Sequence, residues 1–299
     1  MEFKSVYIAN PARLTVRREQ LVIAQDSEVT IPMEDITSLM VESRQVSITS
    51  ATLQKLAEYE VTVYFCDEQH LPSALLLPLN SHCRQLKVLQ AQISLTKPRQ
   101  KQLWQQVVAA KISNQAKCLE LLQNNGYLYL RTLARQVRPG DPDNLEAMAA
   151  AFYFPNLFGV NFTRELPCLT NSALNYGYSI MRGAVARNLV TRGLEPCLGI
   201  FHHNQLNQFN LADDLMEPLR PLVDLFVASK LRSEDEELTP TIKKQLFNLT
   251  NYMLKQGTKR YRLISAIGKI TDSFKRALTD KSEILELPEL IPLESYKYE

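Results

Sequence analysis

The stretch RQKQLWQQVVAAKISNQAKCLELLQ, Arg99 to Gln123, decides the fold, because its apolar residues Leu103, Trp104, Val107, Val108 and Ile112 recur at three- and four-residue steps. That spacing places them on one stripe of a helix, and a helical domain begins here. Upstream the period changes to two. SVYIA, RLTVRR, QLVIAQ, VTIPM and ITSLMVE are short, rich in β-branched residues and separated by polar or charged connections, which predicts a small sheet or sandwich. Within it, Thr49 or Ser50 can cap a short helix, TLQKLAEYE, ahead of the strand VTVYFC. Downstream, helical patterns cover about 143–153, 170–192, 218–231, 241–256 and 259–278, with Gly257 marking the break before the last. The fold class is therefore α+β: a small N-terminal β-sheet or sandwich domain over residues 1–83, then a larger all-helical domain over 84–299.

Hydrophobic residues at 45% and charged residues at 22% exclude a disordered or collagen-like chain. The longest weakly polar run, Ala147 to Phe162, is interrupted by Pro155 and Asn156 and is shorter than the roughly 18 apolar residues of a membrane helix, so no membrane span is expected. The opening MEFKSVYIAN lacks the basic and then apolar layout of a leader, and the expected compartment is the cytoplasm. Five cysteines, odd in number and without a CxxC pair, suit reduced thiols. A net charge of +2 hides an asymmetry: from Arg84 to Arg138, ten Lys or Arg, Lys97, Arg99 and Lys101 among them, face the single acid Glu120. Such a field suits a polyanion such as nucleic acid, and equally a solvated helix face paired from elsewhere in the fold.

The nine glycines form no GxG, no GxxxxGK loop and no GxSxG elbow, which weighs against dinucleotide, P-loop and α/β-hydrolase chemistry. Cys66, His70, His82 and Cys83 are zinc-type ligands, but their spacing fits no standard finger, and Cys66 ends an apolar strand where cysteine is usually a small buried hydrophobe. LGIFHHNQLNQFNLADDLMEPLRPLVD, Leu198 to Asp224, is richer: it sets His202 and His203 shortly before Asp213, Asp214 and Glu217. Imidazole and carboxylate together suit a hard or borderline divalent ion. Asp214-x-x-Glu217 also reads as a capping box with Pro218 at the first helical position, and Asp143-x-x-Glu146 before AMAAAFYF has the same double meaning.

Taken together, these segments resemble the CRISPR-associated adaptation integrases, the first of the numbered CRISPR-associated proteins. The likeness rests on Glu146 with Ala150, Tyr153 and Phe154, on NSALNYGYSIMR at 171–182, on GLEPCLGIFH at 193–202 and on DLMEPLRPLVD at 214–224. IPMEDITSLMV and VTVYFCDEQHLP are similar to the family's N-terminal β domain, and NQLNQFNLADDLMEPLRP is similar to members from type II systems. The resemblance implies an N-terminal dimerisation domain and a helical, metal-dependent catalytic domain. It implies Mg²⁺ or Mn²⁺ held by Glu146, His202 and Glu217, with His202 preferred over His203 because it follows Gly199 by three residues. His203 and Asp214 are then supporting groups, and Arg164 and Arg220, with Lys97, Arg99 and Lys101, are candidate DNA contacts; Arg220 can also simply pair with a neighbouring acid. The implied partners are double-stranded DNA, as spacer fragment and CRISPR repeat, a second copy of the chain, and a small ferredoxin-like adaptation partner that bridges two dimers into a heterohexamer. The implied reaction is endonuclease-type phosphoryl transfer in which a fragment's 3′-hydroxyl attacks the repeat. Two other classes use the same features: a stand-alone metal-dependent nuclease on branched DNA, and a DNA-binding scaffold without chemistry. Tyr153, Tyr176 and Tyr178 lie near the site motifs and are read as core or stacking residues.

Overall fold

The computed structural model describes residues 4–78, 82, 84–231 and 237–295 of the 299. The first part contains β1 (Lys4–Ile8), β2 (Arg13–Arg17), β3 (Gln20–Ala24), β4 (Glu28–Pro32), β5 (Ile36–Val41), β6 (Ser47–Ile48), α1 (Ser50–Glu58), β7 (Thr62–Cys66) and β8 (Pro72–Leu76). They form two four-stranded sheets, ordered β1-β5-β7-β8 and β4-β3-β2-β6. β1, β5 and β7 run parallel, so the chain must cross over between them, and α1 is part of the crossover into β7. Thr49 caps that helix, its hydroxyl accepting from the Thr52 N–H.

Strand alternation joins this part to the helices. In β5 and β7, Leu39, Val41 and Val63 pack with Leu14, Leu21 and Ile23 of the other sheet, whereas Met40 and Tyr64 point the opposite way into the helical core. The Tyr64 hydroxyl donates to the carbonyl of Ile180 at 2.7 Å. Its ring fills the space that a Cβ at Gly183 would occupy, so the close approach requires glycine there.

The second part contains α2 (Gln85–Ile93), α3 (Lys97–Leu121), α4 (Tyr127–Gln136), α5 (Leu145–Phe158), α6 (Leu169–Thr191), α7 (Asn210–Met216), α8 (Arg220–Lys230), α9 (Pro240–Phe247), β9 (Met253–Gln256), β10 (Lys259–Arg262) and α10 (Leu263–Ala277). A 3₁₀ turn, Glu217–Leu219, joins α7 to α8. α3 lies at the centre, packed against α4, α5 and α8, and its expected stripe, Leu103 to Ile112, is fully buried. None of the described helices is long and apolar enough to cross a membrane.

The helix expected over 241–256 stops at Phe247, and Met253–Gln256 instead pairs antiparallel with Lys259–Arg262. The reason is a period of two: Leu254 and Gln256 are buried while Met253 and Lys255 are half-buried, and Gly257, with φ of 61°, opens a two-residue turn. The helical domain thus carries one β-hairpin, and its last helix begins at Leu263 rather than 259.

Candidate metal centre

Glu146 stands in the first turn of α5, Glu217 at the start of the 3₁₀ turn and Lys111 in the middle of α3. Asp141 fixes the start of α5: its carboxylate accepts from the backbone N–H groups of Leu145 and Glu146 at 2.9 and 3.0 Å. Asp143, by contrast, pairs with Arg138 at 2.7 Å, so the Asp143–Glu146 capping box does not form and the Glu146 carboxylate is left for the site. The segment after Glu217 is held from α3, where the buried Asn114 amide donates to the carbonyls of Pro218 and Pro288 at 2.7 and 2.9 Å.

The Lys111 ammonium sits between the two acids, 2.7 Å from Glu146 Oε1 and 2.5 Å from Glu217 Oε2, with only 13% of its side chain exposed. Arg220 Nε takes the other Glu217 oxygen at 2.9 Å, so the pairing read as an alternative for Arg220 is made. Burial pushes the Glu217 carboxyl up, but Arg220 and Lys111 outweigh it and hold it below its ordinary value. Burial likewise opposes the charge on Lys111, and Glu217 and Glu146 overcome it, so the ammonium is held more firmly than in water.

The turn from Gly199 to His202 wraps around Asp214. That carboxylate, fully buried, accepts from the N–H groups of Ile200, Phe201 and His202 at 2.5, 3.0 and 3.2 Å, and lies 2.6 Å from His202 Nδ1. A Cβ on Gly199 would collide with the His202 carbonyl and crowd Asp214, which accounts for glycine three residues before the histidine. Asp214 lies inside α7 and opens no helix, so the Asp214–Glu217 capping box is also corrected. Its bond to Nδ1 raises the His202 pKa and leaves Nε2 as the nitrogen available to a ligand. Phe201 stacks on Trp104 at 4.3 Å and His202 stands edge-on to both, which fixes the ring plane. His203 is exposed and lines a separate groove with Lys97, Lys101 and Phe201.

The remaining candidates divide. Arg164 donates to Asn171 and Asn175, and its guanidinium lies 5.3 Å from the Tyr178 ring, which also carries Arg220 at 4.7 Å. Arg99 is turned inward, donating to the carbonyls of Asp280 and Glu283 at 3.2 and 2.7 Å, so its part is to hold the C-terminal segment rather than to face DNA. Tyr153, Tyr176 and Tyr178 are buried, and the Tyr153 and Tyr178 hydroxyls donate to Asp224. Cys66 contacts the Met40 sulfur, His70 faces Glu42 and His82 meets Lys275; Cys83 lies outside the described residues. Each of the three described members of the zinc-type set therefore has its own partner, and among the described residues no zinc cluster forms.

Two carboxylates and an imidazole with a carboxylate behind it are donors that a hard or borderline divalent ion accepts. Glu217 Oε2 is buried and already takes a cation, the Lys111 ammonium, so the oxygen suits a positive charge. The residues fit a metal. With the ammonium between them, no three His, Cys, Asp or Glu side chains among the described residues stand close enough to share an ion. Lys111, Asp141 and Asn114 escape a motif-based reading; the signal for Lys111 is a charge on the same helix face as Val107, Val108 and Ile112, where burial demands a partner.

A β-rich part thus stands in front of a helical body that carries two glutamates and an Asp214-backed histidine. The chain belongs to the Cas1 family: the family model "CRISPR associated protein Cas1" matches residues 6–157 and 168–265. It is 44% identical over the full length of both chains to the CRISPR-associated endonuclease Cas1 of Neisseria meningitidis serogroup C, strain 8013. Among solved structures it resembles a casposase bound to integration product, with a TM-score of 0.76 and 20% identity over 96% of this chain and 93% of that one. It also resembles a Cas6-RT-Cas1–Cas2 complex, with a TM-score of 0.70 and 17% identity over 97% of this chain and 36% of that one.

Proposed function

We propose that this protein inserts short DNA fragments into the repeat of a CRISPR array, using Mg²⁺ or Mn²⁺ held by Glu146, His202 and Glu217. The observation that carries the reading is the convergence of two glutamates from separate elements on one buried cation position, with His202, held by Asp214, near enough to feel the charge of both. The name of the Neisseria relative and the integration product held by the casposase support the same chemistry. The bound metal supplies the positive charge that polarises the scissile phosphate. The chain's own residues supply the frame: Asp141 sets the direction of Glu146, Asn114 holds the turn behind Glu217, and Asp214 keeps the proton of His202 on Nδ1. Arg164 and Arg220, meeting over Tyr178, are proposed to grip DNA phosphates, as are Lys97 and Lys101 beside His203.

The fragment's 3′-hydroxyl oxygen forms the new bond to phosphorus as the bond to the preceding nucleotide's 3′-oxygen breaks, and the hydroxyl proton ends, by way of solvent, on that leaving oxygen, so no protein–DNA bond is needed. Burial lifts the Tyr153 and Tyr178 hydroxyls well above their ordinary pKa, which disfavours a tyrosyl route. The proposed assembly is a pair of dimers formed through residues 1–83 and bridged by a small ferredoxin-like partner, in a system of the type II kind. The complex with Cas2 formed by a structural relative supports such a partner. A joining assay with labelled fragment and supercoiled repeat DNA tests the reading: joined product is expected, whereas cleavage alone indicates a nuclease and binding alone a scaffold.

A further inference from the structure

Lys111 sits between the two glutamates assigned to the metal. Its ammonium touches one oxygen of each glutamate, at 2.7 and 2.5 Å, and among the described residues no third acid or imidazole joins them. Both contacts pair the ammonium with a carboxylate, so charge holds it there. Lys111 and Arg220 balance the charges of Glu146 and Glu217. A divalent ion arriving there meets a like charge at van der Waals range in a buried setting, where repulsion is weakly screened. The two cations exclude each other. Lysine suits the exchange: its charge rides on a flexible four-carbon stem, so the ammonium can leave while α3 stays in place.

We propose that Lys111 is an internal counter-ion that holds Glu146 and Glu217 together in the metal-free protein and is displaced when the divalent ion binds. This rests on the assignment of the two glutamates as metal ligands. Two consequences follow from the exclusion. Metal binding is weakened by the competition, and the displaced ammonium becomes a free cation at the rim of the site, where a DNA phosphate can receive it.

The test is Mn²⁺ binding to the full-length protein, followed by calorimetry at fixed pH, in wild type, Lys111→Met, Lys111→Arg and Glu146→Gln. Lys111→Met is expected to bind Mn²⁺ about tenfold more tightly, within the usual range of coupling between two ligands, and Lys111→Arg no more tightly than wild type. Equal or weaker binding by a folded Lys111→Met, or tighter binding by Lys111→Arg, overturns the proposal. Glu146→Gln separates the two levels: if Mn²⁺ binding survives it undiminished, the ligand assignment itself is wrong. Should Lys111→Met not fold, amine labelling of the wild type with acetic anhydride, read residue by residue by mass spectrometry, decides the matter. Mn²⁺ is expected to raise labelling at Lys111 and to have no such effect in Glu146→Gln. Unchanged labelling of the wild type in a protein that binds Mn²⁺ through Glu146 contradicts displacement.

Discussion

The division between His202 and His203 is the finest distinction in the site. Asp214 bonds one ring and not the other, and only His202 is held edge-on against Trp104 and Phe201. His202→Ala is therefore expected to abolish DNA joining, whereas His203→Ala reduces it modestly. Asp214→Asn is expected to lower joining about 10- to 100-fold, as loss of a partner behind a metal ligand does. Rates measured on folded protein rank the three, and a larger loss at His203 than at His202 reverses the assignment. The preference for His202 rests on Gly199 three residues before it, as in the resembled family, and the turn around Asp214 explains why a glycine stands there. Lys111 was not legible, because a count of basic residues treats it like Lys97 or Lys101. Charge number carries no information about burial, and here burial separates a buried counter-ion, Lys111, and a clamp, Arg99, from surface cations.

Elements position these residues through their ends. α5 begins with Asp141 accepting two backbone N–H groups, the second of them from Glu146 itself. Asp141→Ala is expected to cost about 0.5–2 kcal/mol of stability, the usual price of a helix cap, and to lower joining by misplacing Glu146. Urea unfolding and joining assays on the same preparation check both; an unchanged midpoint contradicts the capping role. The acid three residues before Glu146 left its meaning open because capping patterns are degenerate: Asp141 and Asp143 are both close to the helix start, and the left-handed turns at Asp141 and Asn144, with φ of 47° and 52°, bring Asp141 to the helix N–H groups. The hairpin at 253–262 was missed for a related reason, since a four-residue strand is too short for its period of two to compete with the helical pattern before it. The long α3 and the β-rich first part were legible because many residues repeat one signal.

At the scale of the molecule, charge and burial set two further expectations. Replacing Lys97 and Lys101 with alanine is expected to weaken binding to unrelated DNA sequences alike and to reduce the salt slope by about one unit per lost contact. Arg99→Ala is expected instead to lower stability by about 1–3 kcal/mol, because the carbonyls of Asp280 and Glu283 lose a charged donor that ties down the C-terminal segment, and to leave the slope unchanged. Asp224, buried beneath Tyr178 and Tyr153 and near Cys118, Arg164 and Arg220, has its carboxyl pushed up by burial from 3.8 to about 6. A folded-state pKa above the unfolded one means that the proton stabilises the fold; that stabilisation is complete below pH 3.8 and is lost as pH rises through 6. Asp224→Asn lacks the loss, so its stability relative to wild type is expected to improve by about 1–3 kcal/mol between pH 4 and pH 7. A difference that is constant over that range contradicts the buried carboxylate. The most direct test of the account as a whole is DNA joining by Glu217→Gln, measured per folded molecule with Mg²⁺ or Mn²⁺ and the adaptation partner present. Joining per folded molecule at least about 100-fold below wild type is the expected result, since the lost carboxylate charge no longer serves the reacting phosphate; the melting temperature is expected to fall as well, because Lys111 and Arg220 lose a buried partner. Near-wild-type joining by that variant would contradict it.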